Sequence, residues 1–95
     1  MVKFIIEDEL HAELHGEFGT LEDALRELRR RAKIPWDREP NVAPCQSWAT
    51  CGRIYELIEY EEGSDGGGRQ LRRSKALEIS KDGVVWHEPF GPSAA

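Results

Sequence analysis

Two histidines and two glutamates alternate near the start of the chain, in a pattern that could bind a metal ion. His11, Glu13, His15 and Glu17 occupy every second position, so an extended strand would turn all four to one face. Imidazole and carboxylate groups are ligands for zinc, nickel and iron. Successive same-face residues lie about 6.6–7 Å apart along a strand, which is long for one shared ion. We therefore expect a solvated strand face and keep His11 and His15 as metal candidates.

Two cysteines, Cys45 and Cys51, complete the set of metal-binding candidates. Five residues separate them, a spacing found neither in zinc knuckles nor in C-x-x-C redox proteins. The open interpretations are structural thiols, a regulated disulfide, a zinc site shared with His11 and His15, and a nucleophilic thiol beside a histidine. Cytoplasmic thiols stay reduced, so we expect structural thiols, no metal and no cofactor, while the sequence leaves a disulfide undecided.

Residues 35–52 form a long segment that contains three prolines and two tryptophans. A loop of this length in a compact domain is usually functional, and rigid aromatic side chains with arginine are enriched at binding hot spots. The predicted binding residues are Trp36, Asp37, Asn41, Trp48, Arg53 and Tyr55. The alternative is a satellite core that helps to stabilise a domain of 95 residues.

The net charge of −5 is distributed in blocks of opposite sign. Residues 28–34 carry four bases, and residues 63–75 carry four bases and one acid. If the two blocks lay side by side, they would form a basic patch of Arg29, Arg30, Arg31, Lys33, Arg69, Arg72, Arg73 and Lys75. A solvated face that complements the helix dipole is the alternative. The overall acidity disfavours general nucleic-acid binding.

A few short elements must position these residues. Alternating apolar residues predict strands at 2–7 and 10–18, which form either one bent strand with a bulge or a tight hairpin. We favour the bent strand because neither glycine, asparagine nor proline marks a turn between them. Thr20 and Asp23 form a capping box before a helix that Pro35 ends. The apolar stripe of that helix is Leu21, Ala24, Leu25, Leu28 and Ala32. Further strands are predicted at 53–60, 71–80 and 84–86.

The predicted order is therefore β-α-loop-β-β-β. We expect an α+β fold, a small two-layer sandwich with one helix on a three- or four-stranded, mainly antiparallel sheet. The helix residues Leu25 and Leu28 should pack on Phe4, Ile6, Leu57, Leu77 and Trp86. Residues 1–90 should form a single domain, with a disordered tail at 91–95.

One stretch resembles a known family. Residues 18–25, Phe-Gly-Thr-Leu-Glu-Asp-Ala-Leu, are similar to the strand-to-helix junction of HicB-like antitoxin domains, which read roughly G-x-T-x-E-E-A. The similarity covers under a tenth of the chain. We carry over no function from it.

The sequence points to a class of function without naming a partner. It lacks a phosphate-binding loop, a G-x-S-x-G motif and an H-E-x-x-H motif. These absences favour a non-catalytic role, but the sequence does not decide whether the protein is an enzyme. Neither a signal peptide nor a membrane span is recognisable, and we expect a cytoplasmic protein. The leading hypothesis is a protein-interaction or regulatory module that uses residues 35–55 or a sheet edge, with a homodimer through that edge as one form. The alternative is a small-ligand or metal-binding protein that uses the Cys/His/Trp group.

Overall fold

The computed structural model describes residues 2–42, 52–63, 67–87 and 90. Its elements are β1 (Val2–Asp8), β2 (Glu13–Phe18), α1 (Leu21–Ala32), β3 (Arg53–Glu62), β4 (Gly68–Ser80) and β5 (Gly83–Trp86). The strands form one sheet in the order β2-β1-β3-β4-β5, with every neighbouring pair antiparallel. The α+β class is confirmed, but the sheet has five strands rather than three or four.

The extra strand arises because the first predicted strand is a hairpin and not a single bent strand. The chain reverses at residues 9–12, where Ala12 adopts a φ of 54°. Alanine rarely takes this conformation, so the usual turn residues gave no signal. The Asp8 carboxylate holds the reversal by accepting a hydrogen bond from the Leu10 N–H at 3.1 Å, as in other Asx turns.

A bulge in β2 corrects the predicted faces of this segment. Ile6 pairs with Gly16 and Glu7 pairs with Leu14, so His15 is an additional residue in its strand. A bulge reverses the alternation of side chains on its far side. Leu14 is consequently 61% exposed although the alternation placed it on the core, and His15 lies against the ring of Tyr55 instead of in water.

Helix α1 begins where its capping residues predict. The Thr20 hydroxyl accepts a hydrogen bond from the Asp23 N–H at 3.1 Å, which satisfies one of the helix's first unpaired donors. Acids occupy the first turn and arginines the last, an order that the helix dipole favours. Within the described ranges, no helix has both the length and the apolar character that crossing a bilayer requires.

The core lies between α1 and the sheet. Its fully buried side chains include Leu28 of the helix, Ile6 of β1 and Leu77 of β4. Phe4, Leu25 and Trp86 pack around them, as the helical stripe predicted. Phe90 also packs on this core, so the chain beyond β5 returns to the helix side of the sheet.

Candidate functional site

A group of polar side chains is buried between the end of β1, the start of β3 and the last turn of α1. We call it the buried polar cluster, and its members are Asp8, Glu13, His15, Arg31, Asn41, Arg53 and Tyr55. Asp8, Asn41 and Tyr55 are completely buried, and Arg31 and Arg53 are each 6% exposed. Charged residues are rarely buried to this degree unless they are paired, so their partners decide what the cluster does.

Asp8 is the centre of the cluster. One carboxylate oxygen accepts from the backbone N–H groups of Leu10 and Ile54, each at 3.1 Å. The other accepts from His11 Nδ1 at 2.6 Å and from Arg53 Nη1 at 2.9 Å. Burial alone would raise the pKa of Asp8, but the bonds from Arg53 and His11 outweigh it and lower that pKa. The carboxylate therefore joins β1, its turn and β3 in its charged form, which these bonds favour.

Arg53 is the cation that balances this carboxylate. Its Nη1 also donates to Glu13, and its Nη2 donates to the Val42 carbonyl at 2.7 Å. Its Nε has no hydrogen-bond partner among the described residues. Gly52 precedes it and passes so close to the Ile79 carbonyl that a Cβ would collide there. Glycine at this position is what allows β3 to begin beside β4 with Arg53 directed inward.

Arg31 fixes the protonation state of His15. An arginine can only donate, so its Nη1, 2.7 Å from His15 Nδ1, requires a neutral imidazole with the lone pair on Nδ1. The proton is then on Nε2, which lies 3.3 Å from a Glu13 oxygen. Burial and the charge of Arg31 both lower the pKa of His15. The Arg31 guanidinium also stacks over the Tyr55 ring at 5.1 Å.

Asn41 connects the loop after α1 to the sheet. Its amide nitrogen donates to the carbonyls of Arg31 at 2.9 Å and Ile34 at 2.8 Å. Its amide oxygen accepts from the Tyr55 hydroxyl at 3.0 Å. These bonds tie the chain that follows α1 to the end of the helix, where the Arg31 carbonyl also accepts from the Ile34 N–H at 3.0 Å. Asn41 therefore has a structural role at a buried position, and its part in binding stays a prediction.

The buried polar cluster contains a possible metal-ligand set. Asp8, Glu13 and His15 each offer a ligand atom, and these atoms lie within 4.8 Å of one another. The Arg53 guanidinium, however, already bridges the two carboxylates. A metal ion would have to displace it and leave a buried cation unpaired, which is strongly unfavourable. The geometry fits an internal ion-pair network better than a metal centre.

The other predicted site residues lie apart from this cluster or fall outside the described residues. Trp36 packs against the far side of the core, towards β5, and Asp37 is exposed. Trp48, Cys45 and Cys51 lie outside the described residues, as does the predicted tail at 91–95. The predicted binding group is thus divided between a buried polar cluster and a separate aromatic surface.

The structure does not bring the two basic blocks together. The start of α1 lies near Arg72, whereas the end of α1 lies near Ile79 at the opposite end of β4. Most of these side chains are ion-paired with nearby acids. The pairs are Arg29 with Glu22, Arg30 and Arg31 with Glu27, Arg69 with Glu61, and Arg73 with Glu7 and Glu56.

Sequence reasoning gave little weight to the outer edge of β5. The His87 N–H donates to the Ala76 carbonyl at 3.0 Å, so in the antiparallel alternation Gly83, Val85 and His87 face β4. Val84 and Trp86 therefore direct their backbone N–H and C=O groups outward, where no described residue bonds them. Val84 is 41% exposed and Val85 is 54% exposed. The signal was present in the sequence as a short strand without a charged residue.

A groove runs beside this edge on the helix side of the sheet. It has a volume of about 270 Å³. Its apolar lining is Ala32, Ile34, Pro35, Trp36, Ile79 and Val84. Lys33 and Lys81 also line it, and neither forms an ion pair with a described residue. Trp36 and the β5 edge together therefore form one surface, which we call the β5 surface.

Comparison of the chain with protein-family models, curated proteins and solved structures finds no match. The likeness of residues 18–25 to HicB-like antitoxin domains therefore remains a local similarity at a helix N-terminus.

Proposed function

We propose that the protein is a non-catalytic interaction module that binds a protein partner through the β5 surface. The observation that carries this proposal is the pair of outward-facing backbone positions at Val84 and Trp86, which no described residue bonds, beside exposed valines. An exposed strand edge accepts an additional strand through main-chain hydrogen bonds. A partner strand could form such bonds at both positions.

The remaining edges of the sheet are protected against strand addition, which is why β5 is favoured. β2 carries the bulge at His15 and the charged Glu13 and Glu17. β4 extends well beyond its pairing with β5. Its stretch 69–75, which has β3 on one side and does not pair with β5 on the other, carries four arginine or lysine residues. Bulges and charged side chains are the usual defences of an edge strand. Gly83–Trp86 contains neither.

A pull-down at native expression level tests this proposal. The baits are wild-type protein, Val84→Pro and Leu14→Ala. Val84→Pro removes an outward N–H, a change that edge strands tolerate, whereas Leu14→Ala removes an exposed apolar side chain from a different edge. We expect a partner that wild type and Leu14→Ala retain and Val84→Pro loses. Retention of the same proteins by all three baits would exclude the β5 edge as the binding site.

Binding of a metal or small ligand by the Cys/His/Trp group is less well supported. Its described members do not form one group: His11 and His15 contact Asp8 and Arg31 of the buried polar cluster, whereas Trp36 lies in the groove with Val84. A shared ligand would need them to converge.

A further inference from the structure

The β5 surface has a chemistry that specifies its occupant, and this inference rests on the proposed function. We infer that the occupant is an extended peptide segment of a partner protein, with apolar residues at alternate positions and carboxylate side chains beside them. Three features of the surface support it: the backbone bonding pattern, the apolar lining and the two lysines that form no ion pair with a described residue.

The backbone fixes the extended form of the occupant. Val84 and Trp86 present donors and acceptors at a two-residue spacing along the edge. Only an extended strand matches that spacing, because its own outward groups also repeat every second residue. Side chains of the added strand would then alternate between the two faces of the sheet.

The groove selects apolar side chains on one of those faces. The side chain of Val84 pairs across the sheet with Ile79 and lies on the side where Trp36 packs. An added strand continues the sheet next to Val84, so every second side chain would project over Trp36 and Ile34. Apolar side chains there would be removed from water against apolar partners.

The lysines supply the preference for acidic residues. The arginines at 26, 29, 30 and 31 of α1 are ion-paired within the helix. Lys33 follows them without such a partner among the described residues, and Lys81 lines the same groove. Two lysines that no described acid pairs, in the lining of an apolar groove, complement carboxylates of a bound segment, and such charges favour both encounter and specificity.

A second copy of this chain is the competing occupant, and it fits less well. Symmetric pairing of two β5 strands would place Val85 opposite its own equivalent and Val84 opposite Trp86 of the other copy. The paired stretch Gly83–Trp86 contains no acid. A second copy would therefore satisfy the backbone but bring no carboxylate from that stretch to Lys33 or Lys81.

Selection from a displayed library of random dodecapeptides tests the inference. Wild-type full-length protein is the target, and a selected peptide is synthesised with a fluorophore for anisotropy titration. The variants are Val84→Pro, Val84→Asp as a second edge variant that keeps the N–H, and the double variant Lys33→Glu/Lys81→Glu. Arg72→Glu/Lys75→Glu changes the net charge equally away from the groove and is the matched control. Circular dichroism establishes that each variant is folded.

We expect selected peptides in which apolar residues alternate and aspartate or glutamate flanks them. Binding should weaken about tenfold or more in both Val84 variants and in Lys33→Glu/Lys81→Glu, and it should persist in the control. Peptides that need Val84 but ignore the two lysines would overturn the inference and leave the proposed function standing. A dimer in light scattering that Val84→Pro dissolves would also overturn it. If no selected peptide depends on Val84, both the inference and the proposed function are wrong.

Discussion

Replacement of Asp8 by alanine should be among the most damaging single changes in this protein. The carboxylate is fully buried and accepts four hydrogen bonds, two from backbone N–H groups, one from His11 and one from Arg53. Asp8→Ala would leave the 94% buried Arg53 with Glu13 and the Val42 carbonyl as its acceptors. Removing one partner of a buried ion pair costs about 3–5 kcal/mol.

That loss is large against the stability of a small domain. A chain of 95 residues has a free energy of unfolding of roughly 5–14 kcal/mol. With a urea slope of about 1.2 kcal/mol/M, the unfolding midpoint should fall by about 2–4 M. Urea titration followed by far-ultraviolet circular dichroism measures this shift directly.

Glu13→Ala is the matched control, because Glu13 shares Arg53 with Asp8 but its side chain is 41% exposed. Arg53 would keep Asp8 in that variant, so the loss of stability should be clearly smaller. A loss below about 1 kcal/mol for Asp8→Ala, or equal losses in the two variants, would refute the assignment of Asp8 as the centre of the cluster.

Three further predictions concern the same features. Burial and Arg31 lower the pKa of His15 below its ordinary 6.5, so the unfolded state binds more protons just below pH 6.5. The free energy of unfolding should therefore fall as the pH drops through that range. Urea titrations should show that His15→Gln removes part of this pH dependence. Val85→Pro removes an N–H that faces β4 and should lower the thermal midpoint, whereas Val84→Pro should change that midpoint little. Equal changes in the thermal midpoint of the two variants would contradict the bonding pattern of β5. Because Arg53 already bridges the carboxylates of Asp8 and Glu13, neither chelator nor added zinc should shift the thermal midpoint of the wild type, and a zinc-dependent rise would restore the metal interpretation.

The helix and its core face could be predicted because their signals are local. Thr20 and Asp23 lie three residues apart, and the stripe that contains Leu25 and Leu28 repeats every three or four residues. The structure confirms the start of the helix at this cap and the packing of both leucines on the sheet. Such patterns need no knowledge of distant parts of the chain.

The sequence did not favour the first hairpin over a bent strand because the determinants of the hairpin are unusual or distant. Ala12 occupies a positive-φ position that glycine or asparagine normally marks. The bulge at His15 reverses the strand's alternation, and nothing in the period-two pattern of residues 10–18 announces it. The Asp8 carboxylate that stabilises the turn is itself positioned by Ile54 and Arg53, more than forty residues away in the chain.

The positions of the predicted binding residues could be foreseen only in part, for the same reason. Asn41, Arg53 and Tyr55 were assigned to a binding surface because arginine and aromatic residues are typical of interfaces. Their burial depends on where β1 places Asp8 and where α1 ends, which composition does not reveal. Trp36 does lie at an open surface, where Val84 is its neighbour. The sequence did not reveal this pair, because the order of the strands in the sheet is what brings Val84 beside Trp36.

Amide hydrogen exchange of β5, measured by nuclear magnetic resonance with and without a bound partner peptide, tests the central claim most directly. In the unbound protein, the outward N–H groups of Val84 and Trp86 should exchange faster than the N–H of Val85, which bonds β4. On binding, Val84 and Trp86 should gain protection as a new strand adds to the edge. Protection that instead appears on β2 or α1, with Val84 and Trp86 unchanged, would contradict the assignment of β5 as the interaction edge.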